Sequence, residues 1–328
     1  MKKVVAFGEI MMRLTTKGNR RLIQAAGFDV DFGGSEANVA VSCCNYGTPA
    51  AFVTRLPENA LGQAAVNSLR AVGVDTSNIA RGGDRIGVYY VEKGTACRQQ
   101  NIVYDRAGSA MAAATCGTFD WEAILRDASW FHISGITPAL SESCAMMSME
   151  ACRTANRLGI PVSCDLNYRE KLWDRETAGR VIGELCRYVN ICFAYIDEPQ
   201  EIFGIRPSPG SGREESCRDL ARELQNRFGF EKVAITSLDF CSSMKFRFGA
   251  MLYDGSSFYF SRQYDIDAVD RIGGGDAFCG GFIHAALSDM PPQDAIEFAV
   301  AAGCMKYTIE GDFNAVSVNE IRRMYEES

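Results

Sequence analysis

The sequence predicts an α/β fold with a mostly parallel sheet and a small additional β-lid. Short β-rich apolar runs alternate with helical segments along most of the chain, which is typical of βα units. Two stretches, 10–33 and 85–106, break this alternation. The 328 residues are 47% hydrophobic and 23% charged, which suits one large domain with an appendage. We therefore expect residues 1–328 to form a single domain.

Six apolar runs are predicted as core strands, and three helical segments lie between them. The strands are VVAFG (4–8), AAFVTR (50–55), SWFHIS (129–134), IPVSCDL (160–166), NICFAY (190–195) and KVAITS (232–237). The helices are EANVAVSCCNYG closing on Gly47, ALGQAAVNSLRAVG closing on Gly73, and SESCAMMSMEACRTANRLG closing on Gly159. Ser141 is the expected N-cap of the third helix.

The two stretches outside the alternation are assigned to the β-lid. Residues 85–106 read as two strands around the turn EKGT, and residues 10–33 lack a helical period. We place the lid at approximately 10–35 and 85–112. Further along, 248–261 is predicted as a hairpin with an Asp-Gly turn, and 276–308 as two helices broken by two prolines. Residues 206–216 are the most linker-like stretch.

Composition argues against several classes of protein. The net charge is −7 without a basic tract, so general nucleic-acid binding is not expected. The sequence contains no run of about 18 apolar residues, so a membrane span is not expected. The 13 cysteines form no C-x-x-C pair and several lie in apolar runs, which favours reduced thiols in a cytoplasmic protein. The two histidines, His132 and His284, are expected to pack in the interior.

The stretch DRIGGGDAF at 270–278 is the main candidate for chemistry. Glycines ahead of a helix let an anion approach the backbone N–H groups and the positive end of the helix dipole. Gly273, Gly274 and Gly275 fit that use, and Asp276 in the first turn can take a proton from a hydroxyl. The alternative is an ordinary glycine-rich turn with Asp276 favoured only by the dipole. The chain has no G-K-[ST], so this is not a Walker A loop.

DRIGGGDAF resembles the C-terminal signature of the ribokinase-like (PfkB) sugar kinases, and GGSEAN at 33–38 resembles their N-terminal signature. The resemblance runs from about residue 3 to residue 320. It implies a three-layer α/β/α core with a small β-lid, and transfer of the ATP γ-phosphate with Mg²⁺. The stretches VTRLPENALG, YDRAGSA, FHISGITPAL, SCDLNYREKLW and GDFN are most similar to family members that phosphorylate the 6-hydroxyl of 2-keto-3-deoxygluconate.

The resemblance also implies roles for individual residues. Asp276 matches the catalytic base and Gly273–Gly275 the anion hole. The substrate-binding positions are matched by Gly34, Asn38, Tyr89, Tyr104, Arg106, Asp312 and Glu9. Arg169, at a strand end, matches a residue near the substrate and the transferred phosphate, and Asp165 and Asn167 would orient it or a metal-bound water.

Arg106 is also singled out on chemical grounds. A sugar acid carries a carboxylate, which a planar two-donor guanidinium binds well. In a strand, residues 104 and 106 face the same side, so Tyr104 and Arg106 can reach one ligand together. Tyr89 is the expected contact of its strand, with its neighbour Tyr90 facing away. The alternative is a surface arginine beside a half-buried tyrosine.

The nucleotide side departs from the family pattern. At the place of the family's N-E-x-E element, this chain has AYIDEPQEIFG, which keeps acidic residues but lacks the asparagine. Asp197 is therefore assigned to nucleotide binding, and Asp197 together with Glu198 to metal binding. The usual T-L-R appears as Thr236-Ser237-Leu238, so Thr236 is kept as a nucleotide contact with Gly273 and Gly275, and the arginine is missing. Lys245 or Arg247 would have to replace its charge.

Three functions are weighed. The first is an ATP-dependent kinase for 2-keto-3-deoxygluconate. The second is a kinase for another sugar, such as fructose or 5-dehydro-2-deoxygluconate. The third is a catalytically weak homologue that only binds a sugar acid. An exposed lid edge is often covered by a partner subunit, so a homodimer or larger homo-oligomer is expected.

Overall fold

The computed structural model describes residues 2–327, which form fourteen strands and ten α-helices. The strands are β1 (Val4–Phe7), β2 (Met11–Thr16), β3 (Phe28–Gly33), β4 (Ala50–Leu56), β5 (Ile79–Arg81), β6 (Val88–Glu92), β7 (Asn101–Asp105), β8 (Trp130–Ser134), β9 (Val162–Asp165), β10 (Ile191–Tyr195), β11 (Lys232–Phe240), β12 (Lys245–Tyr253), β13 (Phe258–Phe260) and β14 (Tyr264–Asp267). The helices are α1 (Ser35–Asn45), α2 (Ala60–Ala71), α3 (Trp121–Leu125), α4 (Glu142–Arg157), α5 (Arg175–Leu185), α6 (Glu198–Phe203), α7 (Arg213–Phe228), α8 (Gly274–Leu287), α9 (Pro292–Tyr307) and α10 (Val318–Glu326).

Ten strands form the main sheet, in the order β13-β12-β11-β10-β9-β8-β1-β4-β5 with β14 also paired to β12. The seven strands from β11 to β5 run parallel, and the β12 side is antiparallel. Parallel strands need crossover connections, which the alternating helices supply. All six predicted core strands belong to this parallel part, as the alternation of the sequence indicates.

Helices cover both faces of the main sheet. Along β1, Val5 and Phe7 pack into a core with helices α3 to α7, while Val4 and Ala6 pack into a second core with α1, α2, α8 and α9. A strand buried on both faces reads as a continuous apolar run, which explains VVAF. The predicted three-layer α/β/α core is therefore confirmed.

Polar side chains and glycines set the helix ends. The Asn59 side chain accepts hydrogen bonds from the N–H groups of Leu61 and Gly62 at the start of α2. Ser141 accepts the N–H of Cys144 at the start of α4, as predicted. Gly159, which follows that helix, has a φ of +69°, a conformation that glycine adopts without a Cβ penalty.

The remaining four strands form a small sheet in the order β3-β2-β6-β7. Because neighbouring residues of a strand face opposite sides, the pairing creates two rows of side chains. One row is Asp31, Arg13, Tyr89 and Tyr104. The other row is Val30, Leu14, Tyr90 and Val103. We call the first the inner row, because Tyr89 and Tyr104 line the cavity described below, and the second the outer row.

Two boundaries differ from the prediction. Strand β11 continues to Phe240, because it pairs with β12 over eight residues, and the predicted hairpin at 248–261 is part of the main sheet. The prediction that residues 206–216 form a linker is wrong for its second half, because α7 begins at Arg213. Glu214 and Glu215 in the first turn favour that start through the helix dipole. No helix within residues 2–327 is long and apolar enough to cross a membrane.

Candidate active site

A cavity of about 1070 Å³ lies between the small sheet and the carboxyl ends of the main-sheet strands. Asp165 at the end of β9 and Tyr195 at the end of β10 line it from the main sheet, and Tyr89 and Tyr104 from the small sheet. The start of α8 completes the wall. Open parallel sheets bind ligands at this edge, so the fold places the predicted residues where chemistry is expected.

The three positions before Asp276 require glycine on different structural grounds. Gly273 has a φ of +84°, and a Cβ there would lie 2.5 Å from the carbonyl oxygen of Asp312. A Cβ on Gly274 would lie 2.2 Å from the Tyr307 ring. A Cβ on Gly275 would meet nothing within 4 Å. The first two positions serve packing, and Gly275 keeps the N-terminus of α8 open on the cavity side.

Asp276 is held in a fixed orientation by helix α1. Its Oδ1 accepts a hydrogen bond from Ser35 Oγ at 2.8 Å, and its Oδ2 accepts one from Asn38 Nδ2 at 2.7 Å. Burial raises the pKa of Asp276 above its ordinary value, while these two hydrogen bonds act to lower it. A carboxylate that is positioned and made more basic is suited to accept a proton.

The N-terminal signature therefore acts partly through Asp276. Asn38, which was predicted as a sugar contact, is buried with its amide nitrogen on the carboxylate of Asp276. Gly34 has an extended backbone, and a Cβ there would lie 1.9 Å from the carbonyl oxygen of Glu9. Both residues also line the cavity. The requirement at Gly34 is close packing against the end of β1.

Glu36 is a second buried carboxylate of that signature. It accepts hydrogen bonds from the backbone N–H and hydroxyl of Ser134, at 3.0 and 2.7 Å, and from the Thr137 hydroxyl at 2.7 Å. Burial raises the pKa of Glu36. These contacts fix the start of α1, and with it Ser35 and Asn38, to the end of β8.

Arg106 lies in the cavity wall, but it already has a counter-ion. Its Nε donates to Glu9 Oε2 at 2.8 Å, its Nη2 donates to the same oxygen, and Ser109 Oγ donates to Glu9 Oε1. The sequence analysis did not anticipate this counter-ion, which Glu9 supplies from two residues beyond the end of β1. Glu9 lines the cavity as the partner of Arg106.

The two predicted tyrosines stand together on the inner row. The rings of Tyr89 and Tyr104 stack with centroids 5.8 Å apart, and the guanidinium carbon of Arg106 lies 5.7 Å from the Tyr104 centroid. Tyr90 faces the other way and packs on Phe28, as predicted. Tyr104 and Arg106 do reach the same part of the cavity.

Asp312 is the centre of a buried network. It accepts hydrogen bonds from Arg13 Nη1 at 2.8 Å and from the Tyr89 hydroxyl at 2.6 Å, and Arg13 Nη2 donates to Asp270 at 2.5 Å. Burial disfavours the charge of Arg13, but the carboxylates of Asp312 and Asp270 outweigh this and raise its pKa. Both oxygens of Asp312 are used inside the protein, which indicates positioning of the small sheet against the glycine turn.

A group of carboxylates lies near the ends of β9 and β10. Asp165 accepts a hydrogen bond from Asn167 Nδ2 at 2.9 Å, and Glu198 accepts the N–H groups of Tyr168 and Tyr195. Burial, together with the charges of Glu198 and Asp276, raises the pKa of Asp165 well above its ordinary value. Burial also raises the pKa of Glu198.

Two further residues follow β9. Asn167 has a φ of +39°, an uncommon conformation for a residue other than glycine. Arg169 is exposed on the cavity wall, and within residues 2–327 it makes no ion pair. The structure therefore brings Arg169, Asp165 and Asn167 to the cavity as the sequence predicts.

Only some of the residues predicted to bind the nucleotide or the metal lie on the cavity wall. Thr236 and Glu198 line the cavity, whereas Asp197 is exposed and is not part of the wall. The two residues that were considered as replacements for the missing arginine are also outside it. Lys245 is paired with Asp267 and Arg247 with Asp265, both at 2.8 Å.

Several residues of the site were missed by the sequence reasoning. They are Arg13, Ser35, Glu36, Asp270 and Arg271. Four of these belong to the two signatures, so their position in the motifs was an available signal. For Arg13 the signal was a single basic residue inside the apolar strand MMRLTT.

A glycine turn at a helix start, a positioned carboxylate and a cavity at the edge of a parallel sheet define a sugar kinase of the ribokinase fold. Residues 1–317 match the pfkB family carbohydrate kinases. The chain belongs to this family, and it is therefore a phosphotransferase with an alcohol group as acceptor.

Individual relatives cover nearly the whole chain. A 2-dehydro-3-deoxygalactonokinase of Haloferax volcanii is 33% identical over 98% of this chain and 96% of its own length. The crystal structure of a 2-dehydro-3-deoxygluconokinase from Thermotoga maritima is 42% identical, with a TM-score of 0.96 over 99% and 98% of the chains. A ribokinase-like protein of E. coli, solved with ATP and Mg²⁺, shares the fold with a TM-score of 0.84 at 20% identity, and each chain is covered completely.

Proposed function

We propose that this carbohydrate kinase transfers the γ-phosphate of ATP to the 6-hydroxyl of 2-keto-3-deoxygluconate. The observation that carries the proposal is the carboxylate of Asp276, fixed by Ser35 and Asn38 beside the open backbone at Gly275. The similarity to kinases of 2-dehydro-3-deoxy sugar acids supports the acceptor, since 2-dehydro and 2-keto are two names for the same group.

The geometry suggests how the residues share the reaction. Asp276 accepts the proton of the 6-hydroxyl while the hydroxyl oxygen bonds to the γ-phosphorus and the bond to the leaving ADP breaks. The raised pKa makes Asp276 a stronger base than an exposed aspartate. The N–H groups at the start of α8 stabilise the charge on the transferred phosphoryl group. Gly273 and Gly274 hold this turn in place by packing.

The carboxylates of Asp165 and Glu198 fit a hydrated Mg²⁺. Magnesium keeps several waters and binds through one or two carboxylates together with substrate phosphates. Burial and, after it, the charge of Glu198 raise the pKa of Asp165, and a nearby cation would relieve the repulsion between the two carboxylates. Within the described residues no group of three or more His, Cys, Asp or Glu could hold a metal by itself, which favours binding shared with ATP. When bound, the ion neutralises charge on the phosphates.

The acceptor carboxylate is assigned to the wall around Arg106 and Arg169. Glu9 occupies Nε and Nη2 of Arg106, which leaves the Nη1 donors for a ligand. Arg169 contributes a cation without an ion-pair partner in residues 2–327. The stacked tyrosines offer an apolar surface for the sugar chain, and Tyr104 adds a hydroxyl group, since the hydroxyl of Tyr89 already donates to Asp312.

A neutral ketose such as fructose is the second candidate. The Glu9–Arg106 pair favours it, since the charge of Arg106 is already balanced and a neutral sugar can hydrogen-bond to Glu9. The related alternative is 5-dehydro-2-deoxygluconate, which keeps a carboxylate. A protein that only binds sugar is disfavoured by the fixed orientation of Asp276, which binding alone does not need.

The outer row of the small sheet supports a homo-oligomer. Val30 is 56% exposed and Val103 is 46% exposed, and both lie in one row with the partly buried Leu14 and Tyr90. Such a row on an exposed sheet favours an apolar partner surface. We propose a second copy of this chain as that partner, because the strand row can pack on its own equivalent around a two-fold axis.

The experiment that tests the function measures ADP release with magnesium-ATP and a panel of acceptors. The panel contains 2-keto-3-deoxygluconate, its galactonate epimer, 5-dehydro-2-deoxygluconate, fructose and ribose. We expect turnover on the keto acid and a loss of about a thousandfold in Asp276→Asn. Arg106→Met should reduce the preference for the acid over fructose. Turnover on fructose alone would contradict the proposed acceptor.

A further inference from the structure

Arg271 lies in the cavity wall, two residues before the first glycine of the turn. Its guanidinium carbon stands 4.4 Å from the ring centroid of Phe240 and 6.0 Å from that of Phe246. Its Nη1 donates one long hydrogen bond, 3.3 Å, to the carbonyl of Ser243. Within residues 2–327 the other nitrogens of this guanidinium have no hydrogen-bond partner.

The charge of Arg271 is not balanced by a carboxylate. Among the described residues no Asp or Glu oxygen lies within 4 Å of its nitrogens, whereas Lys245, Arg247 and Arg213 on the neighbouring strands and helix are all paired. Burial lowers the pKa of Arg271, with only Tyr307 and Tyr195 acting in the other direction. A half-buried cation without a counter-ion favours an anionic ligand.

The backbone around Arg271 is fixed. Asp270 is buried, is paired with Arg13, and accepts the N–H groups of Ile272 at 3.1 Å and Gly311 at 3.2 Å. The same short segment therefore carries Arg271 and the glycine turn. The guanidinium also lies against the Phe240 and Phe246 rings, and this contact restricts the side chain and reduces the entropy lost when it binds a ligand.

The position of Arg271 relative to the other basic residues of the cavity indicates which ligand it binds. The basic residues on the cavity wall are Arg106, Arg169, Lys171 and Arg271. Arg106 lies with the tyrosines of the small sheet. Arg271 shares the wall with Tyr195 at the end of β10 and with Thr236 and Leu238 of β11. Arg271 is thus separated from the group assigned to the sugar and lies beside the anion-binding turn.

We propose that Arg271 binds the β- and γ-phosphates of ATP. It supplies the positive charge of the arginine that is missing at Leu238, two residues beyond Thr236. This rests on the proposed kinase function and goes beyond it by naming a phosphate-positioning residue. A planar guanidinium binds phosphate oxygens through two parallel hydrogen bonds, and two N–H-bearing nitrogens remain for this purpose.

The test measures nucleotide binding without an acceptor. Calorimetry compares ATP, ADP and adenosine with wild type, Arg271→Gln and Arg271→Lys. We expect Arg271→Gln to weaken ATP binding by about tenfold to a hundredfold, the range of a charge-assisted hydrogen bond, with adenosine binding unchanged. Arg271→Lys should recover part of the loss. In turnover, KM for ATP should rise while KM for the acceptor stays constant.

Arg218→Gln is the matched control. Arg218 also stacks on two aromatic rings, 5.1 Å from Phe258 and 4.7 Å from Phe260, but it lies outside the cavity wall. Its replacement should leave ATP binding as in wild type. Equal ATP affinity of Arg271→Gln and wild type would overturn the proposal, and so would an equal loss for adenosine, which would assign Arg271 to packing.

The outcomes separate this proposal from the proposed function. A selective loss of ATP binding in Arg271→Gln supports the phosphate role even if the acceptor is another sugar. A wild-type protein that binds ATP but leaves 2-keto-3-deoxygluconate unphosphorylated contradicts only the acceptor. A wild-type protein that binds no ATP would overturn both.

Discussion

Asp276 shows how single residues of the two signatures depend on one another. Its carboxylate receives hydrogen bonds from Ser35 and Asn38, which lie in the N-terminal signature more than 230 residues away. Glu36 fixes the start of the helix that carries both donors. Burial makes Asp276 more basic and the two donors keep it ionised, so its chemistry is set by residues that need not touch the sugar.

Ser35→Ala should lower kcat about tenfold and change the pH profile. The Ser35 hydroxyl stabilises the ionised form of Asp276, so its removal raises the pKa of that carboxyl further. Because the base must be deprotonated, the acidic limb of kcat/KM should move to higher pH. Ser68→Ala, which alters a serine of α2 outside the cavity, is the control. An unchanged profile would argue against Asp276 as the base.

At the scale of elements, the start of α8 joins packing and anion binding in one turn. Gly273 and Gly274 lie against Asp312 and Tyr307, while Gly275 borders open space. Lys306 of α9 is completely buried and donates to the carbonyl of Gly311 at 2.8 Å. The loop that contains Asp312 is thereby fastened next to the glycine turn.

Gly274→Ala and Gly275→Ala should separate the two roles. The added methyl of Gly274→Ala meets the Tyr307 ring, so we expect a loss of about 1–3 kcal/mol in the free energy of unfolding. Gly275→Ala should change stability by less than about 0.5 kcal/mol, because its methyl has space, yet lower activity by crowding the phosphate. Urea unfolding and ADP release measure the two effects. Equal destabilisation by both variants would contradict this division.

At the scale of the whole molecule, a buried charge cluster connects the small sheet to the segments that flank α8 and α9 of the main domain. Arg13 of the small sheet binds Asp312 after α9 and Asp270 before α8. Pairs of this kind are costly to break, since a buried partner would be left without its counter-ion. The cluster therefore fixes the cavity between the sheets.

At the same scale, the buried histidine His132 should contribute a loss of stability in acid. Burial lowers the pKa of His132 to about 3, from about 6.5 in the unfolded chain. The unfolded state thus binds more protons between these values, and stability decreases as the pH falls through this window. From pH 7.5 to 5.0 the loss from His132 is about 2 kcal/mol. Denaturant unfolding of wild type and His132→Asn measures it.

The variant provides its own control across pH. His132→Asn should be less stable than wild type at pH 7.5, yet its free energy of unfolding should depend less on pH. Burial also lowers the pKa of His284, which adds a slope of the same sign, whereas the raised pKa values of Glu36, Glu198 and Asp276 add a slope of the opposite sign in both proteins. Identical slopes for the two proteins would show that His132 is not the group that titrates.

The assembly state should depend on the outer row of the small sheet. Wild type is expected to sediment as a dimer or larger, and Val30→Lys combined with Val103→Lys as a monomer, because both positions expose apolar surface there. Leu158→Lys alters an exposed residue at the end of α4 and should have no effect. A monomeric wild type would contradict the proposed partner.

The sequence alone determined the parallel core, the helix caps and the two signatures. Local patterns carry this information, since strand and helix periodicities and capping residues act over a few positions. Only the tertiary structure decided which charges meet. Glu9 neutralises Arg106, Arg13 occupies Asp312, and Arg271 has no carboxylate partner among residues 2–327. Ion pairs between distant segments depend on how the sheets and loops are packed, and no local pattern of one chain records that arrangement.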